Sequence, residues 1–126
     1  MQLSSHIAAI KSAFQTAVPA VPFYYHLAPE TAVTPYAVFR LGTITPGDQD
    51  NTTRDWETTA TVVAYTTTDT DILTINDAIV AAFERAAISG FYFSMVQSAD
   101  IDFYYGDQQS YWSTTISITL RWTVST

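Results

Sequence analysis

The chain of 126 residues has no cysteine, four glycines and only five basic residues. The missing cysteine excludes disulfide scaffolds and cysteine-zinc modules, and it leaves the redox compartment unread. Gly42, Gly47, Gly90 and Gly106 are too dispersed to form a glycine-rich phosphate loop, and neither GxSxG nor SxxK occurs. Lys11, Arg40, Arg54, Arg85 and Arg121 stand singly against 12 acidic residues, for a net charge of −7. Gripping nucleic acid takes a cluster of cations to neutralise phosphates, and none exists here. No apolar run approaches the ~18 residues of a membrane span; the longest in an expected helix is Ala78 to Phe83. The opening Met1-Gln2-Leu3-Ser4-Ser5-His6 has no basic residue before Lys11, so no secretion signal is expected.

What the chain does hold is apolar and aromatic. It is 48% hydrophobic, with seven Phe, eight Tyr and three Trp. Its length predicts one domain that buries roughly two thirds of its unfolded surface. Low charge with many aromatics is unusual for a freely diffusing monomer, and it suggests that another chain covers part of the surface.

Leu3, Ile7, Ile10, Phe14 and Ala17 form one apolar helical stripe, which predicts a helix over Leu3 to Val18, stopped by Pro19 and Pro22. Phe23 to Leu27 reads as a short strand, followed by a loop with Pro29 and Pro35 at its ends. Tyr36 to Ile44 and Trp56 to Thr66 read as strands joined through a turn-rich insert, Thr45 to Asp55. Ile72, Ile75, Ile79, Val80 and Phe83 return to helical spacing, with Asp69 or Thr70 as cap and Ser89-Gly90 as the end. Tyr92 to Phe103 and Tyr111 to Val124 complete the strands around a loop that contains Gly106. Ile116, Ile118, Leu120, Trp122 and Val124 alternate with polar residues, as on a half-buried strand. The order α-β-β-β-α-β-β predicts an α+β fold: an antiparallel sheet with two helices on one face, a two-layer sandwich.

Candidate chemistry is thin. His6 and His26 have no second ligand at a metal spacing, so no metal or cofactor is expected. Asp48, Asp50 and Asp55 sit as in a calcium loop, but Thr52 and Thr53 occupy the places of a ligand and the turn glycine, and no closing Glu follows. Asp100 and Asp102 share one strand face and read as solvent-facing. Asn51-Thr52-Thr53 fits a glycosylation sequon, idle without a secretion signal. Nothing supports an enzyme. Three aromatic triplets stand out instead: Phe23-Tyr24-Tyr25, Phe91-Tyr92-Phe93 and Phe103-Tyr104-Tyr105. On strands each puts rings on both faces, of which helices cover one. Tyr24, Tyr25, Tyr92, Tyr104 and Tyr105 are therefore candidates for a subunit interface, with half-exposed rim tyrosines as the plainer reading.

The segment Pro22-Phe23-Tyr24-Tyr25-His26-Leu27-Ala28-Pro29-Glu30, followed by Thr34-Pro35-Tyr36-Ala37-Val38-Phe39-Arg40, resembles the tail-completion (tail-terminator, head-tail joining) proteins of long-tailed bacteriophages and prophages. The step from Thr61-Val62-Val63-Ala64-Tyr65 to Ile72, Ile75-Asn76-Asp77-Ala78-Ile79 resembles them too. The chain departs from the pattern at Ala20-Val21-Pro22, where many relatives carry a Gly and a basic residue. The resemblance implies a structural virion protein: a homomeric ring, commonly a hexamer, that caps the tail tube, ends its growth and joins it to the head connector or stopper protein. DNA would pass through such a ring, and acidic character keeps phosphates from sticking. The acidic insert, with Asp48, Asp50, Arg54, Asp55 and neighbouring Glu57, is then expected at the lumen or against an adjacent ring. Two other readings stay open: another neck or tail component (connector stopper, minor tail protein or tube subunit), and a small-ligand-binding α+β domain whose aromatics line a pocket.

Overall fold

Alternating strands too long for a simple hairpin and two amphipathic helices decide the architecture. The computed structural model describes residues 3–50, 52–105 and 110–125. In chain order the elements are α1 (Leu3–Ala17), β1 (Phe23–Tyr25), β2 (Tyr36–Leu41), β3 (Thr45–Gln49), β4 (Thr53–Thr66), α2 (Asp69–Phe83), β5 (Phe93–Tyr104) and β6 (Tyr111–Ser125). The sheet runs β1-β2-β4-β6-β5, with β3 also paired to β4. Its pairs are antiparallel except β1 with β2. All 14 residues of β4 pair with β6, from Thr53 opposite Ser125 to Thr66 opposite Trp112. One face of this spine, including Ala60, Val62, Ala64, Ile116, Ile118, Leu120 and Trp122, is buried. The helices cover it with Ile10 and Phe14 of α1 and Ile72, Ile75, Ile79 and Phe83 of α2. The result is the expected α+β two-layer arrangement.

Phe14 ties the layers together. Its ring lies 5.0 Å from Phe23, 5.3 Å from Phe39 and 4.6 Å from Phe83, so one side chain touches β1, β2 and α2. The next residue of the helix does the polar part of the same task. Gln15 Nε2 donates to Val21 O at 3.0 Å, and its Oε1 accepts from Phe23 N at 2.9 Å. Without Gln15 those two backbone groups at the start of an edge strand would lack partners. At the other end of α1, His6 lies between Phe91 (4.8 Å) and Trp122 (4.9 Å). Burial there disfavours the imidazolium and holds the pKa of His6 below its usual value.

Several expectations are corrected. The insert Thr45 to Asp55 is not a loop: Thr45–Gln49 forms β3, and β4 begins at Thr53 rather than Trp56. Asp50 makes this possible, because its carboxylate accepts from Thr52 N (2.8 Å) and Thr53 N (2.7 Å) and closes a tight turn. β1 is three residues long and parallel to β2, because the connection 26–35 carries the chain back before β2 starts. Thr68 caps α2 in place of Asp69 or Thr70, accepting from Asp71 N at 3.2 Å. The helix ends at Phe83 rather than at Ser89-Gly90, since Arg85 turns to φ 52 and donates its N–H to Ser94 O at 2.8 Å. Gly106 of the predicted β5–β6 loop and Asn51 of the sequon lie outside the described residues.

Phe14→Ala is expected to cost about 3–5 kcal/mol of unfolding free energy, measured by urea denaturation, because one cavity opens against three elements. His6 gives a pH prediction with a definite sign. A folded-state pKa below the unfolded value makes the unfolded chain bind more protons, so stability is complete above about pH 6.5 and falls as pH drops through the folded pKa. Urea midpoints between pH 7.5 and 5.5 are expected to decline for the native chain and to flatten for His6→Gln.

Candidate assembly surface

The sheet face away from the helices carries a feature that single strands do not reveal. Tyr24, Tyr36, Tyr65, Tyr111 and Tyr104 come from β1, β2, β4, β6 and β5 in turn, so every strand of the main order contributes one ring. Successive centroids are 6.5, 5.2, 5.8 and 5.1 Å apart, which makes a continuous tyrosine row from one sheet edge to the other. In the middle of the row burial raises the pKa of Tyr65, and the neighbouring phenols add to the effect. Below the row, Val38, Arg40, Thr61 and Val63 continue the same face. Residues 26–32 fold over this part and leave an open groove of about 530 Å³. Arg40 lines it and takes no hydrogen bond or ion pair among the described residues.

The predicted interface residues separate into different settings. Tyr24 and Tyr104 end the row. Tyr25 points to the helix side and packs 5.3 Å from Phe39. Tyr92 precedes β5 and donates its hydroxyl to Asp55 Oδ2 at 3.1 Å; burial, and then this bond, push its pKa up. Tyr105 is 87% exposed, beside Phe103 on the helix side of the sheet. Of the triplets, Phe91-Tyr92-Phe93 is not a strand segment: Phe91 enters the core, and only Phe93 lies in β5. Tyr36, Tyr65 and Tyr111 were not singled out from the sequence. They stand apart in the chain, and only the strand register brings them into line.

Side-chain contacts tie down the described residues of the acidic hairpin. Glu57 sits 3.5 Å from Arg121, whose guanidinium covers the Phe93 ring at 4.5 Å. Asp55 holds Tyr92, Arg54 Nη1 donates to Gln49 Oε1 at 2.9 Å, and Asp50 closes the turn. The two backbone bonds that Asp50 accepts lower its pKa. Asp48 alone of the four carboxylates takes no hydrogen bond or ion pair among the described residues. It lies in the register shift between Pro46 and Gln49, next to Gly47, where a Cβ would come 3.2 Å from Asp55 Cβ. A side chain at Gly47 would crowd Asp55, which would have to shift slightly to make room.

The other sheet edge is bare. Residues 97–104 of β5 are exposed throughout, and Asp100 and Asp102 share the outer face with Tyr104 while Ile101 and Phe103 take the other. Among the described residues no group of three His, Cys, Asp or Glu is placed to hold a metal ion. His26 is exposed at φ 71, beside the groove.

No family model matches the chain. No curated protein matches it either. Solved structures do match in fold. One is a chain from the virion of a native gene transfer agent particle, 14% identical, aligned over 95% of this chain and 97% of that one with a TM-score of 0.51. At that identity the likeness establishes a shared fold, and it runs from one end of both chains to the other.

Proposed function

We propose that this protein is a structural component of a phage-like virion, a tail terminator that closes the tail tube as a homomeric ring and joins it to the head connector. The observation that carries this reading is the end-to-end match in fold with a virion chain, 95% of one against 97% of the other. The tail-completion resemblance of Pro22–Arg40 names the finer role, and the surface suits it. A ring buries two different patches on each subunit. This sheet offers two unlike edges and a partly exposed row of tyrosines on its outer face, a residue type enriched at interfaces. The role is mechanical and non-catalytic, with a hexamer as the expected ring.

The net charge of −7 suits a channel through which DNA slides, because like charge keeps phosphates from binding. The β3–β4 hairpin is the part assigned to the lumen or to a neighbouring ring. Asp48, Asp50, Asp55 and Glu57 gather on it, and three of the four are held in place by bonds within the chain.

Two experiments test the reading. The purified protein, added to polymerising tail-tube subunits, is expected to give tubes of limited length with a ring at one end by negative-stain microscopy. Overlong bare tubes would refute the terminator role. Deleting residues 47–54 is expected to leave rings formed while head joining or tail-length control fails. Unchanged joining, length and rings would remove the hairpin from the lumen.

A further inference from the structure

The strand order leaves two edges that no further strand among the described residues pairs, and they differ. At one, β5 is unpaired along its outer side from Gln97 to Tyr104. At the other, β1 ends at Tyr25 and the chain turns away at His26, so Arg40 and Leu41 of β2 have no strand beside them. An edge strand with free N–H and C=O groups is a template for another chain, and one as long as β5 is usually protected. The carboxylates of Asp100 and Asp102 guard it against indiscriminate pairing, and they also define what it fits.

The tyrosine row ends at Tyr104 on the β5 edge and at Tyr24 on the β1 edge. Suppose two copies stand side by side, same face outward, with Tyr104 of one level with Tyr24 of the next. The pleat then settles the rest. Tyr24 lies opposite Val38, so two residues further along β2 is Arg40. Two residues back along β5, which runs antiparallel to β2, is Asp102. Both project from the outer face at the same level. β1 ends before that level, and only the His26 backbone, which donates its N–H to Phe39 O at 2.7 Å, lies between them. The gap is two strand spacings, about 10 Å, which an extended arginine and an aspartate span together above it. Among the described residues Arg40, Asp100 and Asp102 all lack hydrogen-bond and ion-pair partners.

We propose that the β5 edge of one copy seats against the β1–β2 edge of a second copy, joining Tyr104 to Tyr24 and pairing Asp102, with Asp100 beside it, to Arg40. The contact rests on the ring reading above and specifies its interface. It joins opposite edges of the sheet, so it is head-to-tail and repeats until the ring closes. The tyrosine row then runs on from subunit to subunit.

The test is a charge exchange at exposed positions. Arg40→Glu and the double variant Asp100→Lys/Asp102→Lys are each expected to weaken assembly about tenfold or more by light scattering, with unchanged circular dichroism. A 1:1 mixture of the two is expected to recover assembly. Each altered edge then meets a complementary one, and each native edge meets a native one. Single variants that assemble like the native chain, or a mixture that fails to recover, would overturn the contact while leaving native rings and the terminator reading standing. A species that stops at twice the 14.0 kDa chain mass would also overturn it, since a two-fold dimer is not head-to-tail. A native chain that stays monomeric both free and on tail tubes overturns the ring reading, and this contact with it.

Discussion

The unbroken pairing of β4 with β6 is the constraint on which the other parts depend. Fourteen consecutive residue pairs hold one register, and a slip of one residue would turn every side chain to the opposite face. With the register held, Ala60, Val62 and Ala64 meet Ile118, Ile116 and Thr114 under the helices. On the other side Tyr65 stands over Ser113, within reach of Tyr111. One alternation therefore builds the core and the tyrosine row together. Thr114 is buried in the first of these sets, and its hydroxyl donates to Asn76 Oδ1 at 2.7 Å, which anchors α2 over the spine.

The layers differ in how their polar groups are satisfied. On the helix side the chain supplies most partners: Gln15 for the β1 entry, Thr68 for the α2 start and Ser94 for the Phe83 carbonyl, while the buried Trp122 Nε1 has none among the described residues. On the outer side Arg40, Asp100 and Asp102 have none among the described residues, and part of the aromatic area stays open to solvent. A monomer with so few charges gains little from placing three of them unpaired on one face. A subunit gains specificity, because matched charges across an interface reject wrong partners and wrong registers.

The acidic hairpin shows a different economy. Its carboxylates close the turn and fasten Tyr92 and Arg121, so the described part of the hairpin is tied to the sheet. Such ties suit the place proposed for the hairpin, at a channel or an adjoining ring, because a segment already held loses less entropy on contact.

Local chemistry alone determined the two helices, the alternating last strand, the shared face of Asp100 and Asp102 and the two-layer class. Each follows from spacing along the chain, at 3.6 or 2 residues. Element ends were less legible, because Thr68, Asp50 and Arg85 set them through one or two hydrogen bonds each, which compete with equally suitable neighbours such as Asp69 and Thr70. The sequence also marked its aromatic triplets, yet it could not show that Tyr24, Tyr36, Tyr65, Tyr111 and Tyr104 form one row. These residues lie up to 87 positions apart, Tyr24 to Tyr111, and strand order and register are properties of pairing rather than of any segment. Only the tertiary structure decided which edges stay open and which charges stay unpaired, because both depend on what long-range packing leaves uncovered.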